Sequence, residues 1–281
     1  MRSFRYVVAD VFTDVPLAGN QLAVFTDARD LDELTMQTLA REMNLSESVF
    51  VLPPTTEGAD VRIRIFTPAL ELPFAGHPVL GSAFVLGGPL SKIVIRLETA
   101  AGVVPVELER EGPRIVFGRM EQPLPTHEPV ADPAPILEAL GVSGSELPIE
   151  RYDLGPGHVY VALGSPEEVA ALQPDIAALA RATQDGTNCF ARDGDGWKTR
   201  MFAPNHGVAE DPATGSAAGP LAVHLARHGR IQWGERIRIS QGAELRRPST
   251  LYAEALGSGD QVERLFVGGS AVTVARGQFT F

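Results

Sequence analysis

With 281 residues, 44% of them hydrophobic and 21% charged, the chain has ordinary globular composition and the length for two cores of roughly 130–140 residues. A net charge of −11, from 24 basic and 35 acidic residues, argues against nucleic acid or an anionic membrane as a partner, since no basic run offsets it. The single cysteine, Cys189, excludes an internal disulfide framework and two-thiol chemistry. No apolar run approaches the roughly 18 residues of a membrane span, and no signal-peptide pattern follows Met1, so the cytoplasm is the expected compartment.

Residues 5–12 and 20–26 read as strands, and Asp14-Val-Pro-Leu-Ala-Gly19-Asn20 between them reads as the turn of a hairpin-like pair. Helical spacing runs from about Glu33 to Met43, with Asn44 to end it. Ser46-Glu47-Ser48 opens a strand that Pro53-Pro54 closes, and residues 61–67 alternate as a half-buried strand. Gly76 to about Leu86 is apolar all round and predicts a buried helix, followed by strands at 92–98, 103–109 and 114–118. Gln122–Pro135 carries five prolines in fourteen residues, a density expected to support neither ladder nor helix. The domain boundary is therefore expected there, giving domains 1–125 and 126–281, with the last strand free to return to the first. The second half predicts helices at 134–140, 174–182 and 215–228, the last closed by Gly229, and strands near 158–163, 187–191, 197–203, 236–240, 248–256, 261–268 and 271–276.

The halves repeat. Arg62, Arg64, Phe66 and Pro68 match Lys198, Arg200, Phe202 and Pro204, each 136 residues later. Both strands lead through a proline-containing loop into a glycine-led helix of small residues. Gly19-Asn20 parallels Gly157-His158, Leu39-Ala40-Arg41 parallels Leu179-Ala180-Arg181, and Phe50 parallels Phe190. Two similar halves are expected, with two helix N-termini facing one cleft and offering backbone N–H groups to an anion.

Glu47, with Val49 and Phe50 beyond it, is either a solvated or capping glutamate or a desolvated proton shuttle. His77, after Gly76 at one helix mouth, is either a polar cap or a substrate contact, and the helix dipole favours a neutral ring there. At the other mouth a loop is expected to hold Glu210 and Asp211; Glu210 reads as surface charge, whereas Asp211 could cap Gly215 or Ser216 or handle a proton. Ser216 reads as a hydrogen-bond donor, because no nucleophile elbow surrounds it. His224 and His228 share a helix face four residues apart, but with no zincin glutamate and no third ligand in view they read as an ordinary pair near the helix end. Cys189 reads as a buried small side chain. No nucleotide-binding motif occurs.

In Asp10-Val-Phe-Thr with Gly19-Asn20, in Ser46-Glu47-Ser48-Val-Phe-Val, in Glu71-Leu-Pro-Phe-Ala-Gly76-His77 and in Glu210-Asp211-Pro-Ala-Thr-Gly215-Ser216, the sequence resembles the PhzF family of phenazine-biosynthesis-type isomerases. The likeness extends more distantly to diaminopimelate epimerase and proline racemase. It implies an α+β fold of two similar domains, each an antiparallel sheet or barrel wrapped round a central helix, with a site between them. It implies a homodimer working without metal or organic cofactor on a small carboxylate such as trans-2,3-dihydro-3-hydroxyanthranilate. Glu47 matches the family's general acid/base; His77 and Asp211 match the other catalytic positions; Asn20, Gly76, Gly215 and Ser216 match substrate-binding ones. The epimerase branch uses two thiols, and neither helix mouth has a cysteine here. Two departures stand out: Gln21 where proline is usual, and Arg246 where glycine usually precedes Arg-Pro-Ser. The alternatives are a non-catalytic protein that binds small acids and a hydrolase acting through Ser216.

Overall fold

A computed structural model describes residues 2–281, Pro89 by its backbone alone, in two units: the chain up to Glu121 together with Gly268–Phe281, and Gln122–Val267. Among the described residues no helix is long and apolar enough to cross a membrane.

In the first unit, β1 (Ser3–Val11) and β2 (Asn20–Phe25) form an antiparallel hairpin. Its turn needs Gly19: φ is +68°, and a Cβ there would lie 2.4 Å from the Val11 carbonyl oxygen. The buried Asp10 braces the same turn by accepting the Leu17 N–H at 2.7 Å. Helix α1 (Glu33–Met43), capped by Asp32 and ended by Asn44 at φ +50°, crosses to β3 (Glu47–Leu52), which runs parallel to β2. β4 (Val61–Phe66) and the two-residue β5 (Glu71–Leu72) precede α2 (Gly76–Leu90), which crosses to β6 (Val94–Thr99) alongside β4. β7 (Gly102–Glu111) and β8 (Arg114–Glu121) continue the sheet antiparallel, and the C-terminal strand Ala271–Thr280 pairs with β1. Parallel neighbours require a crossover connection, so α2 packs against the sheet and contacts β1, β2, β3, β6, β7 and β8. The helix outruns its expected end at Leu86. Gly87 sits where a Cβ would be 2.7 and 2.8 Å from Leu108 and Ile115 side-chain atoms, so glycine permits the close approach that carries the helix on to Leu90.

The second unit repeats the plan. It comprises β9 (Thr126–Pro129), α3 (Ala134–Leu140), β10 (Glu150–Asp153), β11 (Gly157–Ala162), α4 (Pro166–Ala171), α5 (Ile176–Ala182), β12 (Gly186–Asp193), β13 (Gly196–Ala203), β14 (Val208–Asp211), α6 (Gly215–Arg227), β15 (Arg236–Gln241), β16 (Ser249–Ser258) and, as far as Val267, β17 (Gln261–Gly269). β12 lies parallel to β11 through α4 and α5, and β15 lies parallel to β13 through α6, whose residues Gly215–Ala226 are all buried. Gly229, at φ +65°, closes α6: its N–H reaches the Ala226 carbonyl and the Arg230 N–H reaches that of Leu225. Arg64 with Phe66 and Arg200 with Phe202 form matching cation–π pairs at 5.1 and 5.0 Å, in keeping with the 136-residue repeat.

Three expectations are corrected. The proline-rich segment contains β9, paired with β10 from Thr126↔Asp153 to Pro129↔Glu150, because Thr126, His127 and Glu128 keep their N–H groups and the proline stands at the strand end. Glu210 and Asp211 lie in β14 rather than a loop, Asp211 opposite Met201. Phe50 does not correspond to Phe190: Phe50 faces Arg64, whereas Cys189 faces Arg200. A one-residue slip turns a side chain to the other face of a sheet. Phe50 thus packs with Phe25 and Phe66, Cys189 packs with Phe202, and Phe190 meets His224 and Trp197. Burial pushes the Cys189 thiol up to about 12, as its reading as a small core residue requires.

Arg246 sits at φ +57° in the exposed turn between β15 and β16, closed by the Arg247 N–H to the Gly242 carbonyl at 2.9 Å. That conformation favours glycine, the residue usual here in the resembling family. Arg246→Gly is expected to stabilise the protein by about 1 kcal/mol, raising the melting midpoint by roughly 2–4 °C. A lower midpoint by calorimetry would contradict the strain argument.

Candidate active site

In the first unit, the turn braced by Asp10 delivers Asn20, the start of β3 delivers Glu47, and the mouth of α2 delivers Gly76 and His77. His77 Nε2 lies 3.3 Å from Glu47 Oε2, with the two side chains only 4% and 14% exposed. The contact has ion-pair distance without hydrogen-bond alignment. Asn20 Nδ2 lies 3.3 Å from His77 Nδ1. Burial takes the His77 ring down to about 3, and a bond to the Gln21 main chain offsets it only partly, so the ring is neutral at physiological pH. Two arrangements suit Nδ1. It can accept from the Asn20 amide, leaving the proton on Nε2 toward a Glu47 carboxylate; or it can donate to the Gln21 carbonyl, leaving the Nε2 lone pair toward a protonated Glu47. The ring can therefore adjoin either protonation state of Glu47.

In the second unit, Ser216 Oγ at the mouth of α6 lies 3.1 Å from His158 Nε2, and His158 Nδ1 lies 3.4 Å from the Asn188 amide nitrogen. Burial lowers His158 to about 3, which makes it a poor base for Ser216. With Asn188 donating to Nδ1, the ring's N–H points at Ser216 Oγ and the serine hydroxyl can donate onward. Asp211 accepts the Thr214 hydroxyl at 2.6 Å, and Gln241 bonds the Asp211 carbonyl and both ends of Thr214. Gln122 bonds the Gly215 carbonyl at 2.9 Å. Thr214, the N-cap residue, spends its hydroxyl on Asp211, and the α2 cap is Ala75, so neither helix start receives a side-chain cap. Both mouths keep backbone donors and the positive dipole end for an anion.

The two halves are not chemically equivalent. Ser48 faces Phe66 as Thr187 faces Phe202, so the register counterpart of Glu47 is Gly186. Only the first unit places a carboxyl group at that position.

Glu210 is not free surface charge. It pairs with the buried Arg200 through two bonds of 2.8 Å, as Glu71 pairs with Arg64 through bonds of 2.5 and 2.7 Å. His224 and His228 do have a third neighbour: Glu150 Oε2 lies 3.2 and 3.1 Å from their nitrogens, a spacing compatible with a metal site. The same oxygen accepts from Arg227 at 2.7 Å and Tyr152 at 2.8 Å, so a cation there would face a fixed guanidinium; the cluster is a charge hub. Sequence reasoning missed His158 and Asn188 as site neighbours. The one available signal was the alignment of Gly157-His158 with Gly19-Asn20, since each strand supplies a side chain that bonds the second residue of a central helix.

A family model described as phenazine biosynthesis-like protein, PhzC-PhzF, matches residues 9–277. A trans-2,3-dihydro-3-hydroxyanthranilate isomerase from Pseudomonas aeruginosa is 53% identical over 274 residues, 98% of either chain. The solved structure of a predicted epimerase from Pseudomonas aeruginosa is similar with a TM-score of 0.84 and 32% identity, covering 99% of both chains. A probable proline racemase from Agrobacterium radiobacter K84 shares the fold alone, with a TM-score of 0.68 and 13% identity over 99% of this chain and 93% of that one.

Proposed function

We propose, from the premise that this chain belongs to the PhzC-PhzF family of phenazine biosynthesis-like proteins and is an isomerase, that it shifts a proton between two carbons of trans-2,3-dihydro-3-hydroxyanthranilate or a close carboxylated relative, with Glu47 as general acid/base and no cofactor. The observation that carries this reading is the Glu47–His77 contact of 3.3 Å at a helix mouth, between a carboxyl group and a ring that stays neutral. The Glu47 carboxylate takes a proton from one substrate carbon, and the resulting acid returns it to another, so no atom or electron is gained or lost. The neutral His77, 3.3 Å away, stays uncharged while Glu47 holds and returns the proton, so no second charge forms beside the acid. The backbone donor of Gly76, at the α2 mouth that also holds His77, steadies the negative charge of the substrate. In the second unit Asp211 engages the Thr214 hydroxyl, which leaves the α6 mouth and the Ser216 hydroxyl open to an anion.

The test is turnover in D₂O. Incubation with trans-2,3-dihydro-3-hydroxyanthranilate should give isomerised product carrying at most one deuterium, at the newly protonated carbon, by mass spectrometry and NMR. Binding without conversion over long incubation would sink the proposal. Ser216→Ala should raise KM about tenfold, the loss of one hydrogen bond to a charged group, with kcat nearly unchanged. An unchanged KM would remove Ser216 from the binding role.

A further inference from the structure

A cavity of about 220 Å³ opens in the unit Gln122–Val267 and shares no residue with Ser216, His158, Asp211 or their bonding partners. Its wall is apolar and aromatic: Leu163, Phe190 and Trp197 are each more than nine-tenths buried, and the Phe190 and Trp197 rings lie 6.0 Å apart. An apolar cavity of about 150 Å³ is known to take up benzene, so one six-membered ring with small substituents fits this volume. The rim is charged and exposed, with Glu146, Arg192 and Arg230.

These groups are available. Among the described residues the side chains of Glu146 and Arg230 make no hydrogen bond or ion pair. Arg192 uses Nε on the Gly194 carbonyl and lies over the Trp197 ring at 5.2 Å, which leaves its terminal N–H groups for a ligand. The Trp197 indole N–H is buried with no acceptor among the described residues. A purely anionic ligand would meet Glu146, and a purely apolar one would leave both arginines idle.

We propose that this cavity is a second binding site, for a small ring-bearing aminocarboxylate: the ring packs on Phe190 and Trp197, the carboxylate meets Arg192 and Arg230, and the amino N–H donates to Glu146. The site is independent of the Glu47 chemistry and requires no turnover.

The chain has two tryptophans, so Trp233→Phe leaves Trp197 as the sole indole reporter. Titrating the full-length Trp233→Phe protein with 2-aminobenzoate should change the Trp197 emission saturably. Adding Arg192→Glu and Arg230→Glu, both at exposed positions, should raise Kd at least tenfold with an unchanged circular dichroism spectrum. Glu146→Gln should weaken 2-aminobenzoate and not benzoate. The proposal is overturned by an emission that stays flat up to millimolar ligand, or by a Kd that the charge reversals leave in place.

Discussion

Glu47→Gln is expected to lower turnover by at least about a thousandfold, within the range that one positioned acid/base commands, while ligand affinity and the melting midpoint stay near the parental values. The amide keeps the shape of the carboxyl group and still faces His77 Nε2, but it cannot take up and return a proton. No group at the matching position of the second unit can substitute, because the register counterpart there is Gly186. His77 is held neutral by burial and is itself a poor base. Progress curves with the purified variant measure the loss, and ligand-induced thermal shifts check that binding survives. Activity within tenfold of the parent would remove Glu47 from the mechanism.

The largest stability effect is expected at Glu150. Burial alone would raise its carboxyl group, but the bonds from His224, Tyr152 and His228 and the charge of Arg227 reverse this and hold it well below the ordinary carboxylate range. Replacing the carboxylate by an amide leaves the Arg227 guanidinium without its nearest counter-charge and takes the charge out of the bonds that Tyr152, His224 and His228 make to the same oxygen. Glu150→Gln should therefore cost about 3–5 kcal/mol at neutral pH, a fall in melting midpoint on the order of 10 °C. The pH dependence follows from the sign of the shift. A carboxyl group depressed in the folded state contributes its full stabilisation above its unfolded pKa of 4.5 and loses it as the pH falls below that value. Burial lowers His224, His77 and His158, so below their unfolded value of 6.5 the unfolded chain takes up protons that the folded chain refuses, and stability also falls with acid. The parent should lose stability from about pH 6.5 downward, and its advantage over Glu150→Gln should narrow below about pH 4.5. Denaturant titrations at neutral and acid pH measure both; a gap that is the same at both would refute the hub.

Signals that act within a few residues were legible directly. Helical periodicity and the caps at Asn44 and Gly229 marked where α1 and α6 stop, because αL residues and reversed N–H bonds are local devices. The repeat of Arg64-Ile-Phe66 in Arg200-Met-Phe202 announced two alike units, because both strands must solve the same packing problem. The helix-mouth motifs singled out Gly76-His77 and Gly215-Ser216 by composition. What lay beyond reach was register and long-range pairing. Period-two patterns are satisfied equally by neighbouring alignments until a partner strand picks one, which is why Phe190 looked like the match of Phe50 while Cys189 holds that place.

The longer helices and strands, their recurrence in two halves and the side chains at the two helix starts were therefore written in the sequence, since each follows from short-range sterics, capping and hydrophobic period, whereas the short elements β9, β10, α4 and β14 were not. Tertiary structure alone decided that Glu47 stands 3.3 Å from His77, that His158 and Asn188 back Ser216, that Glu210 belongs to Arg200, and that Glu150 gathers donors from 74 and more residues away. Protonation state and hydrogen-bond partner depend on burial and on what the folded chain brings within about 3 Å, and no local pattern along the chain encodes either.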